Sequence, residues 1–545
     1  MNRFDVQVLQ RFARLVERHP RHQGLLEDYV RGHLGAYATR IVGVAQEGEG
    51  ALVRALSVIV DEPFATEVLD AIVNAIPART VSMHKLGATC LQKLLKEAVA
   101  VQDHQLSGQR MAMLAGRWRE LGIPHQAREM LDELIQTEAF AALAPMVQVQ
   151  LYINLGTATG DLGDAKRSLE CHQQALTLLE RIVPHDAIWH HHLSTTLINA
   201  AAAALRVDDP DEAERFLDRN DEVLPQIEDS GVVLRNHLLR FVWLWTTGQF
   251  EPALRLGMSI EQAALDHEEI GEQDFAELVA ATLLNLGSLL VEVSRADEAR
   301  PRIDKAVELR ERIARTSGTL QARLNWVIAR VARVEVAVQA ADVEGAAEAD
   351  AVVQILRQLK SEQTSTFLDE VLVRALQAKI KAVLIDADVT LGDGDVVELL
   401  DLSAANLARG GHAETDTHIR TLHAVSMAFA QRGDPRRALE LAREALRTAE
   451  GAPDANAMQS LAQRAALHDG LSRRLYALED EAVGLDEAER ALSLIVSAWK
   501  QNRSAYANWL QQILERYLML CGDAEQLDRF QRTCEALELD VEIAP

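Results

Sequence analysis

One pattern constrains this chain more than any other: a helix, a tight turn and a second helix, repeated along most of its length. The clearest copy is INLGTATGDLGDAKRSLECHQQALTLL at 153–179. Others are LNLGSLLVEVSRADEARPRIDKAVELR at 284–310, LHAVSMAFAQRGDPRRALELAREALRT at 422–448 and MAMLAGRWRELGIPHQAREMLDELIQT at 111–137. In each arm the apolar residues recur at steps of three and four, the spacing of one buried helical face. The turns carry Gly122, Gly163-Asp164 and Gly433-Asp434. Glycine tolerates the left-handed conformation that ends a helix, and aspartate caps the next. Five positions beyond the turn comes a small residue: Ala127, Ser168 and Ala438, with Ala299 in the copy that turns at Ser294. A larger side chain there would hold the two helices apart.

Weaker copies turn near Asp208, Gly248, Ala341, Gly392 and Gly522, and a further one near Val483. The chain therefore reads as all-α, a solenoid of about ten helical hairpins over residues 105–537. Residues 1–104 do not repeat and read as helices broken near Pro20, Gly48 and Pro77, a helical N-terminal cap or interaction domain. A stack of repeats needs such a cap because its terminal repeat exposes an apolar face. Residues 538–545 form a tail.

These residues resemble the tetratricopeptide repeat (TPR). Its pattern is Leu-Gly in the first helix, Gly at the turn and Ala twice in the second. Here those are Leu155-Gly156, Gly163 and Ala175; Leu286-Gly287, Ala299 and Ala306; and Ser426, Gly433, Ala438 and Ala445. The steps are longer than the usual period of about 34 residues, as in long-helix relatives such as kinesin light chains and bacterial quorum-sensing regulators. The resemblance implies an α-α superhelix whose first helices line a concave groove. It also implies a role for Asn154, Asn199 and Asn285, each two positions before the small residue of a first helix. Asparagine there resembles the ladder with which long-helix TPR proteins hold a peptide backbone. An amide offers both a donor and an acceptor, which matches a peptide unit. Arg235 and Arg240 lie nearby in sequence, suited to a partner's carboxylates.

Composition narrows the function. The net charge of −26 opposes nucleic acid and anionic membrane surfaces. The longest apolar run, 281–293, is too short to span a bilayer, and the N-terminus lacks a signal-peptide core. Four cysteines without CxxC spacing point to a reducing, cytoplasmic setting rather than a disulfide scaffold. Arginine far outnumbers lysine, which fits a bacterial genome rich in G and C. No cofactor motif is present. His185, His190, His191 and His192 cannot converge on one metal from consecutive helical positions. The segment at 386–398 has Leu391 where a calcium loop needs glycine. Cys171 and His172 point apart on one helix, and His172 falls at a packing position. The expectation is a non-catalytic protein- or peptide-binding scaffold. Its alternative is an adaptor subunit of an enzyme assembly, held through broad surfaces. A weaker third reading is a small-molecule sensor.

Overall fold

The turns set the architecture. In the computed structural model, residues 5–539 are described apart from 47–49, 77–82, 184, 270–274, 294, 318–319, 363–365, 384, 386–391, 410–411, 452–456 and 479. The described residues form helices and no strands. At nine hairpin turns one backbone hydrogen bond recurs. The N–H after the turn donates to the carbonyl five residues back, as in Ile123 to Trp118, Asp164 to Thr159, Asp209 to Ala204 and Asp434 to Phe429, at 2.9–3.0 Å. This bond closes a helix through one left-handed residue. Gly122, Gly163, Gly248 and Gly433 take that conformation with φ of 76–90°. Asp208 and Ala341 take it without being glycine, with φ of 63° and 52°.

The next helix then starts under a side-chain cap. Asp164 accepts from the Arg167 N–H at 3.0 Å, Asp209 from Glu212 at 2.9 Å and Asp434 from Arg437 at 3.0 Å. Pro210 and Pro435 occupy the first helical position, where the missing N–H costs nothing. The result is ten antiparallel pairs among the described residues, from His104–Glu120 with Pro124–Ile135 to Arg503–Asp523 with Leu527–Ala536. Two turns lie elsewhere than the sequence spacing predicts. The tenth falls between Ala457–Ala477 and Glu481–Gln501, and Val483 is already inside the second of these helices. In the last hairpin the left-handed residue is Glu525, while Gly522 is helical. Ser294 lies outside the described residues.

The crossings are tight as expected. Ala127, Ala299 and Ala438 are fully buried and Ser168 nearly so. On the first helices, a Cβ on Gly156 would come within 2.7 Å of the His172 ring, and one on Gly287 within 2.6 Å of Ile303. One hairpin reverses the arrangement. Phe241 stands at the small-residue position, and Gly257 on the facing helix makes room for its ring.

Two compact units divide the chain. The first comprises Met1–Asn236, Glu272–Glu277 and Arg310–Trp326; the second His237–Gly271, Leu278–Leu309 and Val327–Pro545. In the first, the helices from Val6 to Ala100 share one apolar core built on Leu9, Leu26, Ile41, Leu56, Ile72 and Leu91. The His84–Ala100 helix meets His104–Glu120 through the same kind of turn, with Gln102 left-handed. Arg117 donates to the Ile76 carbonyl at 3.0 Å and lies 2.9 Å from His84 Nδ1. In the second, the last hairpins close over Ile495, Tyr517 and Phe530.

Ala299→Leu or Ala438→Leu should overpack a filled crossing and cost about 1–3 kcal/mol in chemical denaturation. A Gly156→Ala variant, clashing with His172, should lose a similar amount; wild-type stability in all three would show that the crossings have slack.

Burial also makes the fold acid-sensitive. His172 is buried with no hydrogen-bond partner at Nδ1, and its pKa is pushed down to about 4 by burial and then by Arg119. His84 is likewise lowered to about 4, by burial first and Arg117 second. A base whose pKa falls on folding binds its proton more readily when unfolded. Stability is therefore complete above the ordinary histidine pKa of about 6.5 and declines as pH falls from there toward 4. Melting temperature followed from pH 7 to 4.5 should drop, and His172→Asn should flatten part of that slope.

Candidate functional site

Position within a repeat decides which side chains a first helix offers away from its partner. The small residue faces the second helix. The residue two before it, and those one turn to either side, face away. Asn154 on Pro145–Asp161 and Asn199 on Ala187–Arg206 hold that register in the first unit, and both are half-buried. They differ in bonding. The Asn154 amide donates to the Ala112 carbonyl of the preceding first helix at 3.0 Å. It therefore ties neighbouring repeats together. Among the described residues Asn199 makes no side-chain hydrogen bond, although its amide carries two donors and an acceptor. Asn285 belongs to the second unit, on Ala276–Glu292, and is half-buried and equally unbonded.

Arg235 and Arg240 fall in different units. Arg235 is half-buried and engaged in an interaction of its own. Arg240 lies over the Trp243 ring, 5.5 Å from its centre. The histidines of 185–192 go separate ways. His185 stacks on Trp189 at 3.8 Å, His190 bonds the Asp186 carbonyl at 2.8 Å and His192 lies 3.3 Å from the Gln150 amide. His172 is a core residue, as its register implied. Asp386, Asp388 and Leu391 of the calcium-like segment lie outside the described residues. Asp395, just beyond them, is held by Lys379 at 2.7 Å and by Arg357 at 2.6 Å.

Electrostatics separate the two units. In the first, the ends of first helices bring acids together. The Glu120 carboxyl is raised by burial, with Asp161 and Glu277 adding to the shift and Arg119 opposing it. Glu277 is raised by burial too, although Arg310 lies 3.2 Å away and Asn325 donates to it at 3.0 Å.

The second unit carries a basic set that sequence spacing did not reveal. Arg374 and Lys381 stand seven residues apart on Thr366–Val383, about 10 Å along one helical face. Arg420 and His423 stand on the adjacent first helix, His412–Gln431, and Arg473 on the next, Ala457–Ala477. Arg374 is paired with Glu335 at 2.8 Å, Arg420 with Asp416 at 2.8 Å, and Arg473 with Asp469 at 3.2 Å. Lys381 is exposed, and among the described residues no carboxylate lies within ion-pair distance of it. Its pKa is nonetheless lowered, by crowding first and then by Arg420 and Arg374 against the pull of Glu335. His423 is pushed down to about 3 by burial and then by Arg474, Arg473 and Lys381. The signal in the sequence was the seven-residue spacing. The hairpin link from Val383 to Asp393 is longer than the others, which hid the register.

A tetratricopeptide-repeat family model matches residues 279–314, the hairpin of Asn285, Gly287 and Ala299. The chain is a TPR-like helical repeat protein. Among solved structures, it is similar to a Rap protein complexed with competence and sporulation factor. The identity is 13%, over 71% of this chain and 96% of that one, with a TM-score of 0.47. It is also similar to the apo quorum sensor NprR from B. thuringiensis, with 13% identity over 78% and 99% of the two chains and a TM-score of 0.42. NprR in complex with its cognate peptide NprX gives 16% identity, 66% and 97% coverage and a TM-score of 0.41. A search of curated proteins returns no match. Among the described residues no helix is long and apolar enough to cross a membrane.

The bonding difference between the asparagines is measurable. Asn154→Ala should cost about 0.5–1.5 kcal/mol of stability through the lost bond to Ala112. Asn199→Ala and Asn285→Ala should unfold at the wild-type denaturant midpoint. Equal losses at all three positions would contradict this assignment.

Proposed function

We propose that this chain is a non-catalytic scaffold that binds a protein or peptide along its first-helix face, the concave side in TPR proteins. One observation carries the reading. Asn199 and Asn285 occupy the same repeat register, half-buried, with amides that have no hydrogen-bond partner among the described residues. A half-enclosed amide with unused donors and acceptor is poised for an extended backbone, whose units present the complementary pair. The thiols argue against nucleophilic chemistry. Burial pushes Cys171 up to about 11 and Cys90 up to about 12, so both stay protonated at neutral pH. All four cysteines are free and buried, in keeping with a reducing, cytoplasmic setting.

A second reading, an adaptor held through a broad surface, is favoured by the N-terminal helices. Val8 and Leu15 are about half exposed and lie seven residues apart on one face of Val6–Arg18. In this reading residues 1–104 serve as the interaction domain, beside the repeat array of 105–537 and the tail of 538–545. Removing the segment is a poor test, because buried Arg110 and Arg117 bond its backbone carbonyls. Surface substitution avoids that.

Affinity purification followed by mass spectrometry supplies the partner, and two double variants then decide. If the first-helix face binds an extended peptide, Asn199→Ala/Asn285→Ala should weaken capture roughly tenfold or more, at about 0.5–1.5 kcal/mol per bond. Val8→Asp/Leu15→Asp should leave capture intact. The adaptor reading requires the reverse, and undiminished capture by the asparagine variant would sink the groove reading.

A further inference from the structure

We infer that the first-helix face of the second unit contains an anion subsite, centred on Lys381 and flanked by Arg374 and Arg420, that takes the carboxylate side chains of an acidic peptide segment. The inference rests on the reading of that face as the binding surface and names the chemistry it selects there.

Among the described residues, Arg374, Lys381, Arg420, Arg473 and Arg516 have only Glu335, Asp416 and Asp469 as ion-pair partners. Asp469 is shared, bonding Arg516 Nε at 2.9 Å as well as Arg473. Five cations against three carboxylates is an excess in a chain whose net charge is −26. The four paired arginines are anchored in place by their partners. Lys381 is left over, solvent-exposed, with like charges on both sides. Arg420 and Arg374 outnumber Glu335 around it, and an arriving anion would offset the second like charge.

The chemistry favours carboxylates on a chain. Lysine is a compact point charge with three donors and no demand for planar geometry. Arg374 and Arg420 already spend donors on Glu335 and Asp416, so Lys381 is the cation most available to a new anion. The spacing along Thr366–Val383, about 10 Å between Arg374 and Lys381, matches side chains about three residues apart in an extended segment.

The test uses the full-length protein and fluorescein-labelled hexaglutamate, followed by anisotropy at low ionic strength. Saturable binding is expected, with about a tenfold loss in Lys381→Met and retention in Lys381→Arg. Lys305→Met, at a half-buried lysine on a second helix that pairs with Glu308, should bind like wild type. Unchanged melting in Lys381→Met checks that the fold is intact. No binding, or equal binding by wild type and Lys381→Met, would overturn the subsite. Displacement by inorganic pyrophosphate at lower concentration than by unlabelled hexaglutamate would overturn the carboxylate assignment and make it a phosphate site. The outcome is separable from that of the asparagine variants. Loss of partner capture there, with hexaglutamate indifferent to Lys381, removes only the subsite. Lys381-dependent binding with undiminished capture removes only the asparagine groove.

Discussion

Close approach of two helices within each hairpin is the constraint on which the rest depends. It requires one crossing partner to be small: Gly156 against His172, Gly287 against Ile303, Gly257 against Phe241. With only 4% aromatic residues, the chain builds its core from Ala, Leu and Val, and packing density must come from proximity rather than bulk. Each pair that closes also fixes which residues of the first helix face away. The register of Asn199 and Asn285 is thus a consequence of where the small residues lie. A binding face made in this way inherits its geometry from buried contacts, although the residues that use it contribute little to stability.

Legibility in the sequence followed the same logic. Hairpins with glycine at the left-handed position, such as Gly163 and Gly433, could be placed to the residue because few other side chains accept that conformation. Where Gln102, Ala341 or Glu525 takes it, no residue type marks the turn, and the Gly522 and Val483 assignments drifted by two to five residues toward the nearest plausible marker. Asn154 shows the other limit. Its register was readable, but its bond to the Ala112 carbonyl depends on the distance between adjacent repeats, which no single-repeat pattern encodes. The basic set was hidden for a similar reason. Arg374, Arg420 and Arg473 are far apart in sequence, and only stacking brings their helices side by side.

Buried cations tie the helices to one another. Arg110 bonds the Leu94 carbonyl, Arg117 the Ile76 carbonyl, and Arg474 the Ser426 hydroxyl and Gly470 carbonyl at 2.9 and 2.8 Å. Lys379 bridges Asp350 and Asp395 at 2.5 and 2.7 Å. Replacing any of them by a smaller apolar residue would strand carbonyls or carboxylates, which costs more than the bond itself contributes. Among the described residues five Lys and Arg side chains are buried against three carboxylates, so the −26 net charge is carried by the surface.

That distribution separates long-range from short-range electrostatics. At physiological salt a charge is screened over about 8 Å, so a distant polyanion meets mostly the acidic exterior and is turned away. Within contact range the relevant field is that of the nearest side chains. Around Lys381 those are Arg374, Arg420 and Glu335, two cations and one carboxylate. Within that range a short acidic segment gains from the two cations. Net repulsion and a local cation excess together act as a filter. They disfavour nucleic acid, which needs a broad basic surface, and leave room for a short peptide that carries a few carboxylates.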